Sequence, residues 1–407
     1  MTTDKALPDH RDQTVRIAAL IAVLAVLAAT GLQFADLRLE TLPFQLRNKD
    51  FANCWLGGRL ALAGEASLLF GDPAFYFERM KTVFGADYPW HNWSYPPHAA
   101  LVCLPFGMPD YLSAMALYLG LTLSLYLLAI AALPVRWTLM ASMLLVPFLA
   151  TNLIATQNGF LTGALMIAGL GLRERRPSLA GILLGLLTFK PQLGVLLPFL
   201  LLNERQWRVI AAAMATTTLL VGISILAFGF DAWRDFIVHI VPQQTDIMNT
   251  FGGDFPHMMA SAFGAARSLG YDAAIAMKVH LPFALAGMAL FALGLVRLRD
   301  AGAKAFCLLL ASFLVVPYSV SYDLGALSAF AAFWPLGARR DGPPLLRIVL
   351  ILLTVLPIAL LPLGQAGYPL APPLLLLVLF ILLWSENALL PERIRRATPA
   401  RPSRPQP

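Results

Sequence analysis

The sequence predicts an all-α protein whose helices cross a lipid bilayer or dip into it. Three observations carry this. Of 407 residues, 58% are hydrophobic and only 13% charged, whereas a soluble domain holds roughly 45–50% and about 25%. The apolar residues, which lift the mean hydropathy to +0.69, fall in long, repeated runs, as spanning helices of about 20 residues require. The cations sit in short clusters between those runs, the pattern of cytoplasmic loops.

Met1 to Arg16 is polar and mixed in charge. The run Val15 to Ala35 has no small-residue cleavage site after it, so it is expected to be an uncleaved first helix. Further apolar segments lie near 111–133, 137–156, 159–172, 178–202, 207–229, 278–297, 303–318, 322–338, 344–363 and 371–390. Residues 98–107 are too short to span; they would lie at the interface or begin the next helix. Two long polar stretches, 36–96 and 230–277, separate the apolar segments. Residues 1–390 form a single membrane domain, and the Arg- and Pro-rich tail, 391–407, is expected to be cytoplasmic and disordered.

Charge bias orients the chain. With Lys5, Arg11 and Arg16 inside, the clusters at Arg173 to Arg176, Arg205 and Arg208, and Arg297 to Lys304 share that side, as do Arg136, Arg339, Arg340 and Arg347. This holds if 178–202 enters the bilayer, turns at Lys190-Pro191 and returns; a straight span would invert every later loop. The hairpin gives about ten full spans, hence ten to twelve spanning or re-entrant helices, with 36–96 and 230–277 outside and short amphipathic helices in those loops. Irregular backbone at depth must face protein or a watery cavity, so Lys190 marks such a place.

The net charge of +7 is not gathered on one face or in one tail, which argues against nucleic acid. Cys54, Cys103 and Cys307 are far apart, with no CxxC pair, and no disulfide framework or zinc site follows from them. No Walker loop, no GxGxxG after a strand, no HExxH and no metal-ligand cluster is present, so neither cofactor nor metal is expected.

The first external stretch holds the densest polar signal. Asp50 precedes Phe51, Trp55, Gly57, Gly58, Arg59 and Leu60, a spacing that suits an interfacial amphipathic helix. There Asp50 is either a charge favoured by the helix dipole or a general base at the membrane edge. His91-Asn92-Trp93-Ser94-Tyr95-Pro96-Pro97-His98 is a polar, aromatic strip suited to sugar stacking or to lipid anchoring. Asn92-Trp93-Ser94 is read as a chance sequon. Lys190 is an ionisable residue inside an apolar segment, which is costly and points to function, although a snorkelling lysine is the plainer reading. Tyr318, Ser321, Tyr322 and Asp323 form a polar cluster suited to a buried network or a site. Asp231 to Asp246 reads as a solvated face, and His91 and His257 are lone histidines.

At these residues the chain resembles glycosyltransferase family 87. Asp50-Phe51 with Trp55 and Arg59, then Ser94-Tyr95-Pro96-Pro97, resembles the start of that family. Thr156-Gln157-Asn158-Gly159 resembles its Gly-Gln-Asn block, with Thr156 in place of the usual Gly. Gly181 to Pro191 resembles its Gly-x-x-x-Gly…Lys-Pro helix, and Pro317-Tyr318 to Asp323-Leu324 a later block. Some members carry a His-His pair where this chain has Tyr322-Asp323.

The resemblance implies a GT-C-type membrane enzyme that moves a hexose, usually mannose, from a polyprenyl-phosphate sugar to a lipid or glycan acceptor on the outer side of a bacterial inner membrane. It implies Asp50 as catalytic acidic residue, Lys190 and Arg59 as donor-phosphate ligands, and Trp55, His91, Tyr95, Gln157, Asn158, Tyr322 and Asp323 as substrate contacts. One base and one displacement imply inversion, since retention by two carboxylates needs a second, nucleophilic one. The competing expectation is a transporter or flippase of lipid-linked sugars, but only one half of the chain shows a broken helix. A glycan polymerase or ligase would rely on late external cations such as Arg234 and Arg267.

Overall fold

The computed structural model describes residues 44–133, 139–333 and 344–384. The expected first helix, 15–35, the cations Arg136, Arg339 and Arg340, and the basic tail lie outside these residues.

Among the described residues every regular element is helical, apart from one isolated antiparallel bridge between Met259 and Val320. In the first polar stretch α1 (Phe44–Arg47), α2 (Phe51–Leu62), α3 (Ser67–Phe70) and α4 (Pro73–Phe84) follow one another, before α5 (Pro97–Cys103). The bundle comprises α6 (Tyr111–Ala131), α7 (Leu139–Ala155), α8 (Gly159–Leu172), α9 (Pro177–Leu186), α10 (Leu197–Asn203) and α11 (Trp207–Phe228). The second polar stretch forms α12 (Phe230–Asp235), α13 (Val241–Thr250) and α14 (Ala262–Ser268). Then come α15 (Ala273–Arg297), α16 (Ala301–Val315), α17 (Gly325–Ala331), α18 (Pro344–Gln365) and α19 (Ala371–Trp384).

Fewer helices are long than the expected ten spans. Among the described residues only α6, α11, α15 and α18 are long and apolar enough to cross a membrane unaided. Some of the shorter ones lie largely inside protein, where nothing obliges them to match a bilayer. Helix α16 is the clearest case: Ala305, Phe306, Cys307 and Leu308, successive residues that point to different sides of it, are all fully buried, as befits a helix apolar all round. Helix α11 shows the opposite, with Met214 at 66% and Leu226 at 88% exposure, a face left for lipid.

The segment 178–202 is a re-entrant hairpin. Its descending arm is α9 and a 3-10 turn, Leu187–Phe189; its return arm is a second 3-10 turn, Pro191–Gly194, and α10. Arg173, just before the hairpin, and Glu204, just after it, form a buried ion pair at 2.7 Å, so the chain leaves where it entered. Ten α-helical residues and three 3-10 residues rise about 21 Å. The 14 residues of α8 rise about 21 Å as well, so the tip at Lys190 comes level with the start of α8 at Asn158. The descending arm holds its place through the Gly-x-x-x-Gly pair. A Cβ on Gly181 would stand 2.4 Å from the Val209 carbonyl, and one on Gly185 2.8 Å from that of Ala213, both on α11. Residues four apart share a helix face, and small ones let backbones approach closely.

The bundle therefore has two ends. At the basic end Arg173 reaches the Ala301 carbonyl (2.7 Å) and Lys304 reaches Asn203 (3.2 Å). At the other end the two polar stretches meet the hairpin tip.

Candidate active site

Asp50 begins α2, but its side chain makes no capping bond to the helix. The carboxylate is 39% exposed, and among the described residues its only ion-pair partner is His91 Nε2 at 3.7 Å, outside hydrogen-bond reach. His91 leans on Tyr88 (ring centroids 5.0 Å apart), with Nδ1 3.2 Å from the Pro89 carbonyl. Phe51, beside Asp50, is buried against Phe106, Tyr111 and Tyr118, which anchors the first turn of the helix. Lys49 donates to the Ile154 carbonyl; partial burial holds its ammonium below the usual lysine range, against the pull of Asp50.

Asp50 faces a narrow cleft, of about 40 Å³, that is also lined by Asn53, Cys54, Tyr95, Gln157, Asn158 and Phe189. A helix turns about 100° per residue, so Asn53 and Cys54 lie on the face of Asp50, while Arg59 lies about 180° round. Trp55 and Arg59 accordingly look away from the cleft. The Trp55 indole donates to the Pro109 carbonyl at 3.0 Å, and the Arg59 guanidinium sits over its ring at 5.0 Å, in a separate groove beside Asp110 and Tyr111.

A disulfide that sequence spacing did not reveal, Cys54–Cys103, ties α2 to α5 with Cα atoms 5.1 Å apart. Glycines explain how the partners come so close. A Cβ on Gly58 would stand 2.3 Å from the Cys103 carbonyl, and one on Gly57 2.4 Å from the Trp93 ring. Trp93 is 1% exposed, so it neither anchors in lipid nor offers a face to a sugar. Its indole donates to the Tyr95 carbonyl at 2.7 Å and thereby shapes the Tyr95-Pro96-Pro97 wall. The second polar stretch closes over this wall: Ser94 Oγ accepts from Gln244 at 3.0 Å and from Asn92 at 2.8 Å.

The far wall is the Thr156 to Gly159 turn. Thr156 has φ +52°, a left-handed conformation that glycine takes freely and a β-branched residue resists; a glycine would suit this position. Gly159 is pressed against the later block, where a Cβ would meet the Tyr322 carbonyl at 1.9 Å. Buried Asn152, also missed, donates to that same carbonyl at 3.3 Å; an amide inside an apolar run was its only signal. Gln157 accepts from the Asn158 backbone N–H at 3.1 Å.

Lys190, at the hairpin tip, completes the network. Its ammonium donates to Asn158 Oδ1 at 2.9 Å and Asp323 Oδ1 at 2.6 Å, and lies 4.7 Å from the Tyr322 ring centroid. An ammonium has only protons to give, so Asn158 turns its oxygen to Lys190 and donates its Nδ2 to the Tyr95 hydroxyl at 2.9 Å. The Ser321–Asp323 turn is held by Ala260, which donates to the Ser319 carbonyl at 2.8 Å, and by Ser261, which donates to that of Pro317 at 2.5 Å. Burial pushes the Tyr95 hydroxyl above the usual phenol range, and the charges of Tyr318 and Asp50 push it further up.

Of the ten residues singled out, Asp50, His91, Tyr95, Gln157, Asn158, Lys190, Tyr322 and Asp323 thus form one connected region, and Trp55 and Arg59 do not join it. The arrangement offers a half-exposed carboxylate at the mouth, a polar and aromatic wall, and a buried cation at the tip of a broken helix.

No curated protein and no solved structure matches the chain. The sequence profile described as glycosyltransferase family 87 matches residues 93–317, just over half of the chain. Tyr95, Gln157, Asn158 and Lys190 fall within the match, whereas Asp50 and Asp323 flank it. An all-helical membrane bundle with those four residues in one network, matched over that length, belongs to glycosyltransferase family 87 and is a membrane glycosyltransferase.

Proposed function

We propose that the chain transfers a hexosyl group, mannosyl foremost, from a polyprenyl-phosphate sugar to a lipid or glycan hydroxyl on the outer side of a bacterial inner membrane, with inversion. The observation that carries this reading is the Asp50 carboxylate, which is free of capping bonds and opens into the cleft whose far wall, through Asn158, holds the Lys190 ammonium. Asp50 takes the proton of the acceptor hydroxyl as its oxygen bonds to C1. The C1–O bond to phosphate breaks, and its electron pair leaves on the phosphate oxygen, where a cation offsets the growing charge. Positioned proton transfer of this kind is worth about 10²–10⁴ in rate.

Two features support the outward orientation. Arg173, Lys304 and their neighbours gather at the end away from the cleft, as positive-inside bias expects. The Cys54–Cys103 bond stands in the cleft wall, and disulfides persist on the oxidising side of a membrane.

The test uses the purified full chain with polyprenyl-phosphate mannose, glucose and arabinose in turn, each with lipid acceptor extracts. Transfer of a labelled sugar, mannose best, is the expected outcome. Transfer from none of them, with labelled lipid-linked sugar crossing the bilayer in liposomes, would show a flippase instead.

A further inference from the structure

Lys190 and Asp323 are more completely enclosed than any other described ion pair: their side chains are 4% and 1% exposed. A charge so placed is untenable without a counter-charge, so Lys190 needs an anion in every state of the enzyme. Its ammonium has three protons; Asn158 and Asp323 accept two, and the face of Tyr322 covers the third side. A phosphate therefore cannot simply be added. It would set a second anion against Asp323 in a medium of low dielectric, where like charges repel strongly. It can, however, be exchanged for Asp323.

Asp323 has somewhere to go. Outside the lining of the Asp50 cleft it borders a small second cavity, of about 20 Å³, together with Gln192 and Ser319. Ser319 is 1% exposed, and among the described residues its hydroxyl has no hydrogen-bond partner. A buried hydroxyl left unpaired is uncommon and costly, and this one borders the space into which the carboxylate would swing.

We propose that Asp323 is a displaceable counter-ion that keeps the donor's phosphate position on Lys190 filled, yields it when the lipid phosphate binds and reclaims it as the product leaves. This rests on the polyprenyl-phosphate reading above. The transfer itself supplies the reason for such a device. Breaking the C1–O bond turns a phosphodiester of charge −1 into a monoester of about −1.5 to −2, which Lys190 would hold more tightly than the donor. A competing carboxylate offsets that and speeds release.

The test measures binding of a short isoprenyl monophosphate, farnesyl phosphate, to the full chain in detergent, beside donor kinetics. Asp323→Asn keeps the shape and removes the competitor. It should bind farnesyl phosphate about tenfold more tightly, lower the donor KM, lower kcat and become more sensitive to inhibition by farnesyl phosphate. Lys190→Met should bind it at least tenfold more weakly. A neutral pair, Lys190→Met with Asp323→Leu, is expected to fold, because replacing both charges of a buried pair is often neutral or better; it should lose the binding. Unchanged or weaker binding by Asp323→Asn, or wild-type binding by the neutral pair, overturns the counter-ion role and leaves the donor reading standing. Absence of binding by the wild type, with no transfer from any polyprenyl-phosphate sugar, overturns both.

Discussion

The re-entrant hairpin carries one buried ion pair at its base and another at its tip, and they are built differently. At the base Arg173 reaches Glu204 with two nitrogens, at 2.7 and 2.9 Å, and also donates to the carbonyls of Leu170 and Ala301. A planar guanidinium with several fixed partners is specific and hard to exchange. At the tip Lys190 offers a compact, rotatable charge to one carboxylate and one amide. The same hairpin is thus bolted at one end and left exchangeable at the other. Burial of a charge does not by itself reveal its purpose; the number and rigidity of its partners separate a clamp from a site.

The comparison can be broken by experiment. The largest effect is expected at the tip end. Asp50→Asn should cut transfer by about 10²–10⁴ while leaving the melting midpoint where it was; retained activity would remove Asp50 as the base. Next comes the base. Arg173→Met leaves Glu204 buried without its partner, which costs about 3–5 kcal/mol. Thermal unfolding should show that loss, and the fraction that stays folded should keep its donor KM. A changed KM with an unchanged midpoint would mean that the base, too, belongs to the chemistry. The smallest effect is expected beside the tip, at Thr156→Gly. Relief of a left-handed β-branched residue gains about 1–3 kcal/mol, and the added freedom of glycine returns roughly 0.5–1. The midpoint should hold or rise by a few degrees, and a fall would show that the Thr156 hydroxyl, 3.3 Å from the Leu153 carbonyl, matters more than the strain.

What could be read in the sequence follows the same physics. Lys190 stood out because an ammonium in an apolar run demands an explanation, and the neighbouring Pro191 showed where the helix had to break. The basic clusters implied the hairpin before any geometry was known, and the Arg173–Glu204 contact agrees with it. Arg59 was misjudged because nearness along the chain stood in for nearness in space, although nine residues along a helix bring a side chain to its opposite face. The Cys54–Cys103 bond was illegible because spacing alone cannot say which of three cysteines meet. An apolar run does not disclose whether lipid or protein surrounds it, so the burial of α16 inside protein is not legible in the sequence.

The glycine face of the hairpin also constrains how the chain is made. The segment 177–203 ends on the side where it began, so the insertion machinery cannot release it sideways as one span. Its tip contains 3-10 turns around Lys190, whose charge lipid cannot satisfy. Gly181 and Gly185 close against Val209 and Ala213, residues that leave the ribosome after the hairpin does. The hairpin must therefore wait near the membrane surface until α11 has been synthesised and inserted, and only then fold inward against it. Birth order and assembly order differ here, and the polar tip enters the bilayer after α11 rather than before it.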